Sequence, residues 1–174
     1  ACWTVPEDYR LVGIDASGLE LRMLAHYLND EGYTNEILNG DIHTANQRLA
    51  DLESRDQAKT FIYALLYGAG DAKLGSVVGR GRAHGKGLRQ RFFDNLPSFK
   101  KLTDRVQREA KSGFIKALDG RKLTVRSEHA ALNTLLQGAG AIVMKKALII
   151  LDDMIRTNNW DAKFVANVHD EWQI

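Results

Sequence analysis

Three short clusters in the 174-residue chain combine residue types that do phosphate or metal chemistry. The first is Asp15-Ala16-Ser17-Gly18-Leu19-Glu20-Leu21-Arg22. An acid at the end of a buried strand is well placed to hold a hard cation, and it serves equally as a helix cap or turn residue. The second is Arg55, Lys59, Tyr63 and Tyr67, spaced every four residues. Each step overshoots a full helical turn by about 40°, so the four form one slowly winding stripe. Two cations followed by two aromatic rings suit a nucleoside triphosphate, with cations at the phosphates and rings under the base. An amphipathic helix that packs its tyrosines in the core has the same spacing. The third is Val168-His169-Asp170-Glu171. Adjacent acids at a tight turn repel each other unless a cation sits there; an exposed acidic turn is the plainer reading.

The elements that must position these clusters follow from periodicity and punctuation. Arg10–Asp15 reads as a short buried strand ending in the acid, and Gly18–Asn29 as an amphipathic helix. Asp41 caps a helix carrying Ile42, Ala45, Leu49 and Leu52. Ser54-Arg55-Asp56-Gln57 fits a capping box, so the stripe helix starts at Arg55, runs to about Tyr67 and stops at Gly68. The glycine-rich stretch 68–87 lacks both dinucleotide-loop spacing and a Gly-Lys-Ser/Thr ending, and reads as turns between short helices. Leu88–Leu96 and Pro97–Lys111 follow as basic helices. Phe114–Leu118 and Leu123–Arg126 form a hairpin around Asp119-Gly120. A long helix runs from His129 to about Ile155. Phe164–Val168 and Trp172–Ile174 then flank the tight His169-Asp170 turn. The order implies an α+β core with a large helical insertion.

Composition bounds the class. With 44% hydrophobic and 26% charged residues the chain has enough apolar surface to fold. No uninterrupted apolar run reaches the ~18 residues of a membrane span, Lys145 and Lys146 breaking the best candidate, so no membrane partner is expected. Cys2 is the only cysteine, which excludes an internal disulfide and a cysteine zinc site. A cytosolic location is the default expectation. The net charge of +2 hides an asymmetry. Residues 80–126 hold fourteen Lys/Arg against four Asp/Glu, a net of +10, and the remainder holds ten against eighteen, a net of −8. A basic block beside acidic flanks suits a polyanion on one face and metal-binding carboxylates on another; a solvated basic helix pair is the bland alternative.

The clusters, in this order, resemble family A (Pol I-type) DNA polymerases, nearest to those of short-tailed bacteriophages. Asp15-x-Ser17-x-x-Glu20-x-Arg22 is similar to motif A. Arg55-x-x-x-Lys59-Thr60-x-x-Tyr63-x-x-x-Tyr67-Gly68 is similar to motif B, and Val168-His169-Asp170-Glu171 to motif C. Asp41-Ile42-His43-Thr44 and Asn133-x-x-x-Gln137-Gly138 resemble two further family stretches. The resemblance implies a polymerase right hand: palm in residues 1–30 and 114–174, with a small antiparallel sheet, and fingers in 31–113. It implies template-directed addition of dNMP from dNTP to a primer 3′-hydroxyl. Asp15, Asp170 and the Ala16 carbonyl would hold two magnesium ions, with manganese as a substitute, and Glu171 would join Asp15, Asp170 and Lys59 in the catalytic set. Arg55, Lys59 and His43 would bind the triphosphate, Lys59 serving as a proton donor to pyrophosphate. Tyr63 would stack near the sugar and base, and Glu20 would crowd a ribose 2′-hydroxyl. Tyr67 would lie by the template and base-pair pocket. Arg22, Asn133, Gln137 and His169 would line the minor groove and primer end of the primer-template DNA. The basic block would lie along phosphates.

Departures qualify the resemblance. Ala64 stands where glycine usually follows the first motif B tyrosine, which favours helix. The chain begins at Ala1 and stops three residues after Glu171, so it is expected to be a palm-and-fingers fragment. The thumb, any exonuclease domain, and a processivity factor recruited through the thumb would be supplied elsewhere. The motif C hairpin is expected to be short and poorly pinned, and the isolated chain a weak, salt-sensitive DNA binder with little extension. Three rivals remain: a single-subunit RNA polymerase palm, a catalytically silent DNA-binding fragment and a metal-dependent nuclease. Glu20 and Glu171 argue against the first, Asp15 and Asp170 against the second, and the Arg55–Tyr67 stripe against the third.

Overall fold

The computed structural model describes residues 5–174, so Cys2 lies outside the described residues. Strand β1 (Gly13–Asp15) is followed by seven helices: α1 (Leu19–Leu28), α2 (Glu31–Leu38), α3 (Ile42–Ala50), α4 (Arg55–Leu66), α5 (Asp71–Ser76), α6 (Arg82–Asn95) and α7 (Pro97–Ala110). Hairpin β2 (Phe114–Lys116) and β3 (Lys122–Thr124) leads through a 3₁₀ turn at Glu128–Ala130 into α8 (Ala131–Thr157). Strands β4 (Ala166–Val168) and β5 (Glu171–Gln173) close the described order. The expected α+β class is observed: a three-stranded antiparallel sheet, order β1-β5-β4, carries a helical insertion between its first strand and its last two.

The sheet corrects one expectation. β5 is not half of a lone hairpin but the central strand, paired to β4 and, in the register Gly13↔Gln173, Ile14↔Trp172, Asp15↔Glu171, to β1. The Val12 and Ile174 backbones extend that ladder with reciprocal hydrogen bonds of 2.8 and 3.0 Å. A strand with partners on both edges has little freedom to slip, and its central residue Trp172 is buried.

The glycine-rich stretch corrects another. It holds α5 and the first half of α6, which starts at Arg82 rather than near Leu88. Gly85 is a contact glycine: a Cβ there would lie 1.9 Å from the Asp71 carbonyl oxygen. Its backbone therefore packs directly on α5, and Gly75 makes the reciprocal approach to the Gly81 carbonyl at 2.2 Å. Helix α2, in a segment given no element from sequence, is short and starts where the Asp30 side chain accepts from the Tyr33 N–H at 3.0 Å. Its Gly32, Thr34 and Asn35 are weak helix formers, so the cap is its main local signal.

One core joins these helices. Phe61, Phe92 and Phe99 are fully buried and stack edge-to-face, with centroids 5.6 and 5.3 Å apart. The first half of α8 buries Ala131, Leu132, Leu135 and Leu136 into the same core. Despite Lys145 and Lys146, α8 has an 18-residue window of mean hydropathy 1.5, long and apolar enough to cross a membrane by length and composition, contrary to the sequence expectation. Its apolarity serves packing in the first half, while Ile149, Ile150 and Met154 in the second half are exposed.

Candidate active site

The strand pairing brings together acids from opposite ends of the chain. Asp15 ends β1 directly opposite Glu171, and the Ala16 N–H donates to the Asp170 carbonyl at 2.9 Å. His169 makes the reversal possible by taking a left-handed φ of 53°. Among the described residues none of Asp15, Glu20, Asp170 and Glu171 has a cationic partner. The Glu171 carboxylate leans back over Gly13 and accepts from the Gln173 amide. Among the described residues no three His, Cys, Asp or Glu form a ready-made metal cluster.

Helix α4 arises because Ser54 caps it, accepting from the Gln57 N–H at 3.2 Å. Ala58, Phe61, Ile62, Leu65 and Leu66 bury one face. Arg55, Lys59 and Tyr67 are exposed beside that face, while Tyr63 is half-buried against the same core. At the start of the stripe, Arg55 pairs with Asp41 through Nε at 2.7 Å and Nη2 at 3.2 Å. That ion pair holds the Asp41 carboxyl well below the usual carboxylate range. His43, on the first turn of α3, has its ring 6.3 Å from that of Tyr63. Burial and then the Arg55 charge hold its pKa below the ordinary 6.5, with Lys59 adding in the same direction. Tyr63 is half-buried, and its hydroxyl pKa is raised first by that burial and then by the charges of Glu20 and Asp170. The middle of the stripe thus lies within the field of the acidic tip.

A cleft of about 510 Å³ separates the two sides, lined by Glu20 of α1, Tyr67 at the end of α4, Gln137 of α8, and His169 and Asp170 of the tip. The Tyr67 hydroxyl donates to Glu20 at 2.6 Å and also meets Gln137. Gly68, at φ 75°, lets the chain pass so close to α8 that a Cβ would lie 2.2 Å from the His129 carbonyl oxygen. Gly140 likewise admits the Leu19 side chain, 3.0 Å from an ideal Cβ.

Not every sequence candidate meets there. Arg22 faces a second, slightly larger cleft of about 550 Å³ with His26 and Asn29, and its Nε donates to the Ser17 carbonyl at 2.8 Å. That cleft is larger but holds none of the acids of the sheet tip, whereas Asp170 lines the smaller one. Asn133 lies one helical turn before Gln137 on α8, outside the cleft lining. Sequence reasoning missed Asp41 as a member of the site; the capping signal was visible, but not the fourteen-residue reach to Arg55.

A family model described as DNA polymerase family A matches residues 1–174. The chain belongs to DNA polymerase family A. It is 48% identical over 186 aligned residues to the DNA-directed DNA polymerase of Enterobacteria phage T3, and 49% to that of Escherichia phage T7. In both cases the match covers 93% of this chain and 26% of the relative, so the chain spans about a quarter of the length of these curated relatives. DNA polymerase I of Pseudomonas aeruginosa is 28% identical, the match covering 97% of this chain and 21% of the relative. A solved structure of the polymerase domain of Pol1 from M. smegmatis, in complex with DNA primer-template and dNTP, superposes with a TM-score of 0.86. It is 26% identical, with 97% of this chain and 34% of that one covered. In this family A chain the sheet is the palm, and the helical insertion is the fingers.

Proposed function

We propose that this chain is the palm and fingers of a DNA-directed DNA polymerase, palm in residues 1–30 and 114–174 and fingers in 31–113, that joins dNMP to a primer 3′-hydroxyl. The observation that carries the reading is the pairing of Asp15 with the Asp170–Glu171 turn, three acids without a cationic partner among the described residues, with Tyr63 and Tyr67 of the stripe beside Asp170. The M. smegmatis structure, which holds primer-template and dNTP on the same fold, supports it.

The donor set at the tip fits magnesium. Mg²⁺ is held by one or two carboxylates and keeps its other positions for water and substrate phosphates, a demand that two aspartates can meet. Asp15, Asp170 and the Ala16 carbonyl would hold it. When bound it supplies activation of the 3′-hydroxyl and neutralisation of charge at the transferred phosphoryl group. The protein's own contribution is position. The β1–β5 ladder fixes the two acids, and a misplacement of about 1 Å costs rate steeply. Arg55, His43 and Lys59 grip the triphosphate by charge-assisted hydrogen bonds, and Lys59 delivers a proton to the departing pyrophosphate. Tyr63 stacks beside the sugar and base. Glu20, held by Tyr67, closes the space a ribose 2′-hydroxyl would need. Gln137 and His169 line the primer end, Tyr67 lies by the template and base-pair pocket, and Asn133 and Arg22 extend the contact along the DNA.

The test is a chimera in which this chain replaces the matching stretch of the phage T7 relative. Incubated with primer-template, one dNTP and Mg²⁺, it should extend the primer by one nucleotide. Cleavage instead would indicate a nuclease, and binding without extension a silent module.

A further inference from the structure

Asp41 is the acid on the cationic side of the site, and its carboxylate makes four hydrogen bonds. It accepts from Arg55 Nε and Nη2, from Thr44 Oγ1 at 2.8 Å and from the His43 N–H at 3.1 Å. The last two make it the cap of α3, which sets His43 on the first turn, facing Tyr63. The first two grasp Arg55 by one edge. A guanidinium has five N–H donors in a rigid fork, so this grip leaves both Nη1 protons free. As a fold contact the pair counts for little: Arg55 and Asp41 side chains are 52% and 42% exposed, and surface ion pairs contribute little to stability. A four-bond carboxylate next to a phosphate-type stripe needs another explanation. The His43 Nδ1 is buried with no partner, and Lys59 is close enough to influence the His43 ring. Asp41 thus bonds both Arg55 and the His43 backbone, and the Arg55 and Lys59 charges both act on the His43 ring.

We propose that Asp41 is a positioning residue for polyphosphate recognition: it holds Arg55 by its Nε edge and caps α3, so that Arg55, His43 and Lys59 present ordered donors to the triphosphate of an incoming nucleotide. This rests on the polymerase reading of the site. Arginine otherwise loses rotamer freedom when it binds an anion, and a partner that orders it beforehand removes part of that cost. The opposing effect is repulsion between the carboxylate and the phosphates. It is screened at an exposed site, so ordering wins.

Binding of tripolyphosphate and of dATP with Mg²⁺ to the 174-residue chain, measured by calorimetry at about 0.15 M salt, tests this. Asp41→Asn keeps the cap, since Asn and Asp cap equally well, but loses the ion pair. It should weaken both ligands about two- to tenfold, the span that ordering one such side chain covers. Arg55→Ala should weaken them further, and adding Asp41→Asn to it should change nothing. Asp41→Glu, which restores the charge, should recover part of the loss. Tighter or unchanged binding in Asp41→Asn would overturn the proposal, and so would an equal loss in the wild-type and Arg55→Ala backgrounds. An Arg55→Ala chain with wild-type affinity would instead overturn the triphosphate reading on which the proposal stands.

Discussion

On the palm side of the cleft, Asp15, Asp170 and Glu171 crowd one sheet tip with no cation among the described residues to offset them. On the fingers side, Arg55 is matched by Asp41 and the stripe is charge-balanced at its head. Both regions are built from ordinary local signals, a strand end and a capped helix. They differ in what folding leaves unfinished. Like charges held together cost stability, and a fold retains such a cost where a ligand relieves it. On the function proposed above, the palm tip receives its cation from outside, whereas Arg55 on the fingers side is already paired with Asp41. Positions of the first kind should trade stability against activity, and positions of the second kind should trade affinity alone.

The largest effect should come from the tip. In the phage T7 chimera, Asp15→Asn or Asp170→Asn should reduce single-nucleotide extension by at least roughly a hundredfold, because the charge they help neutralise develops in the transition state. DNA binding should stay within a few-fold, read by filter binding. Extension within tenfold of the parent would break the assignment of the palm acids.

Next comes the stripe. Lys59→Ala should weaken dNTP binding and slow the chemical step, and Arg55→Ala should mainly weaken binding, each by roughly 10–150-fold, the worth of a charged hydrogen bond to phosphate. Rapid-quench extension across dNTP concentrations separates the two. Equal, small changes in both would make them surface cations.

Smaller still is sugar choice. Glu20→Ala should raise ribonucleotide use relative to deoxynucleotide by about tenfold, by removing a side chain that Tyr67 now holds in place. Tyr63→Phe should restore discrimination against dideoxynucleotides; an unchanged terminator preference would remove Tyr63 from the sugar.

The three clusters were legible because each sits where an element ends: Asp15 at a strand terminus, Arg55 one residue past a serine cap, His169-Asp170 at a reversal. The motif order then made the family visible. What could not be read depended on distant partners. Gly85 looks like a turn former until α5 lies against it, and β5 looks frayed until β1 pairs with it. The Asp41–Arg55 bond joins two helix starts across a loop, and neither start announces the other. Arg22 shares a motif with Glu20 and Asp15 but faces another cleft, because two residues along a helix turn the side chain through about 200°.

The smallest effects separate the two regions by stability and pH. Asp170→Asn should raise the thermal midpoint of the free chain, by an amount equivalent to about 0.5–1 kcal/mol, since it removes repulsion at the tip. Asp41→Asn should leave the midpoint nearly unchanged, as expected of an exposed ion pair. His43 adds a pH signature. Its folded pKa lies below the ordinary 6.5, so on acidification the unfolded chain takes the proton first. Stability of the free chain should fall as pH drops below about 6.5, and His43→Asn should flatten that slope. Triphosphate binding should show the opposite trend, strengthening toward acid pH as the bound anion favours a protonated ring.

The central claim is that Asp15 and Asp170 together hold the metal. Paramagnetic resonance of Mn²⁺ added to the chain without nucleotide or primer tests it directly. The wild-type chain should convert free Mn²⁺ into a bound form, Asp15→Asn and Asp170→Asn should each abolish that conversion, and Glu171→Gln should largely keep it because Glu171 is drawn back over Gly13. Bound Mn²⁺ at wild-type levels in both aspartate variants would contradict the account.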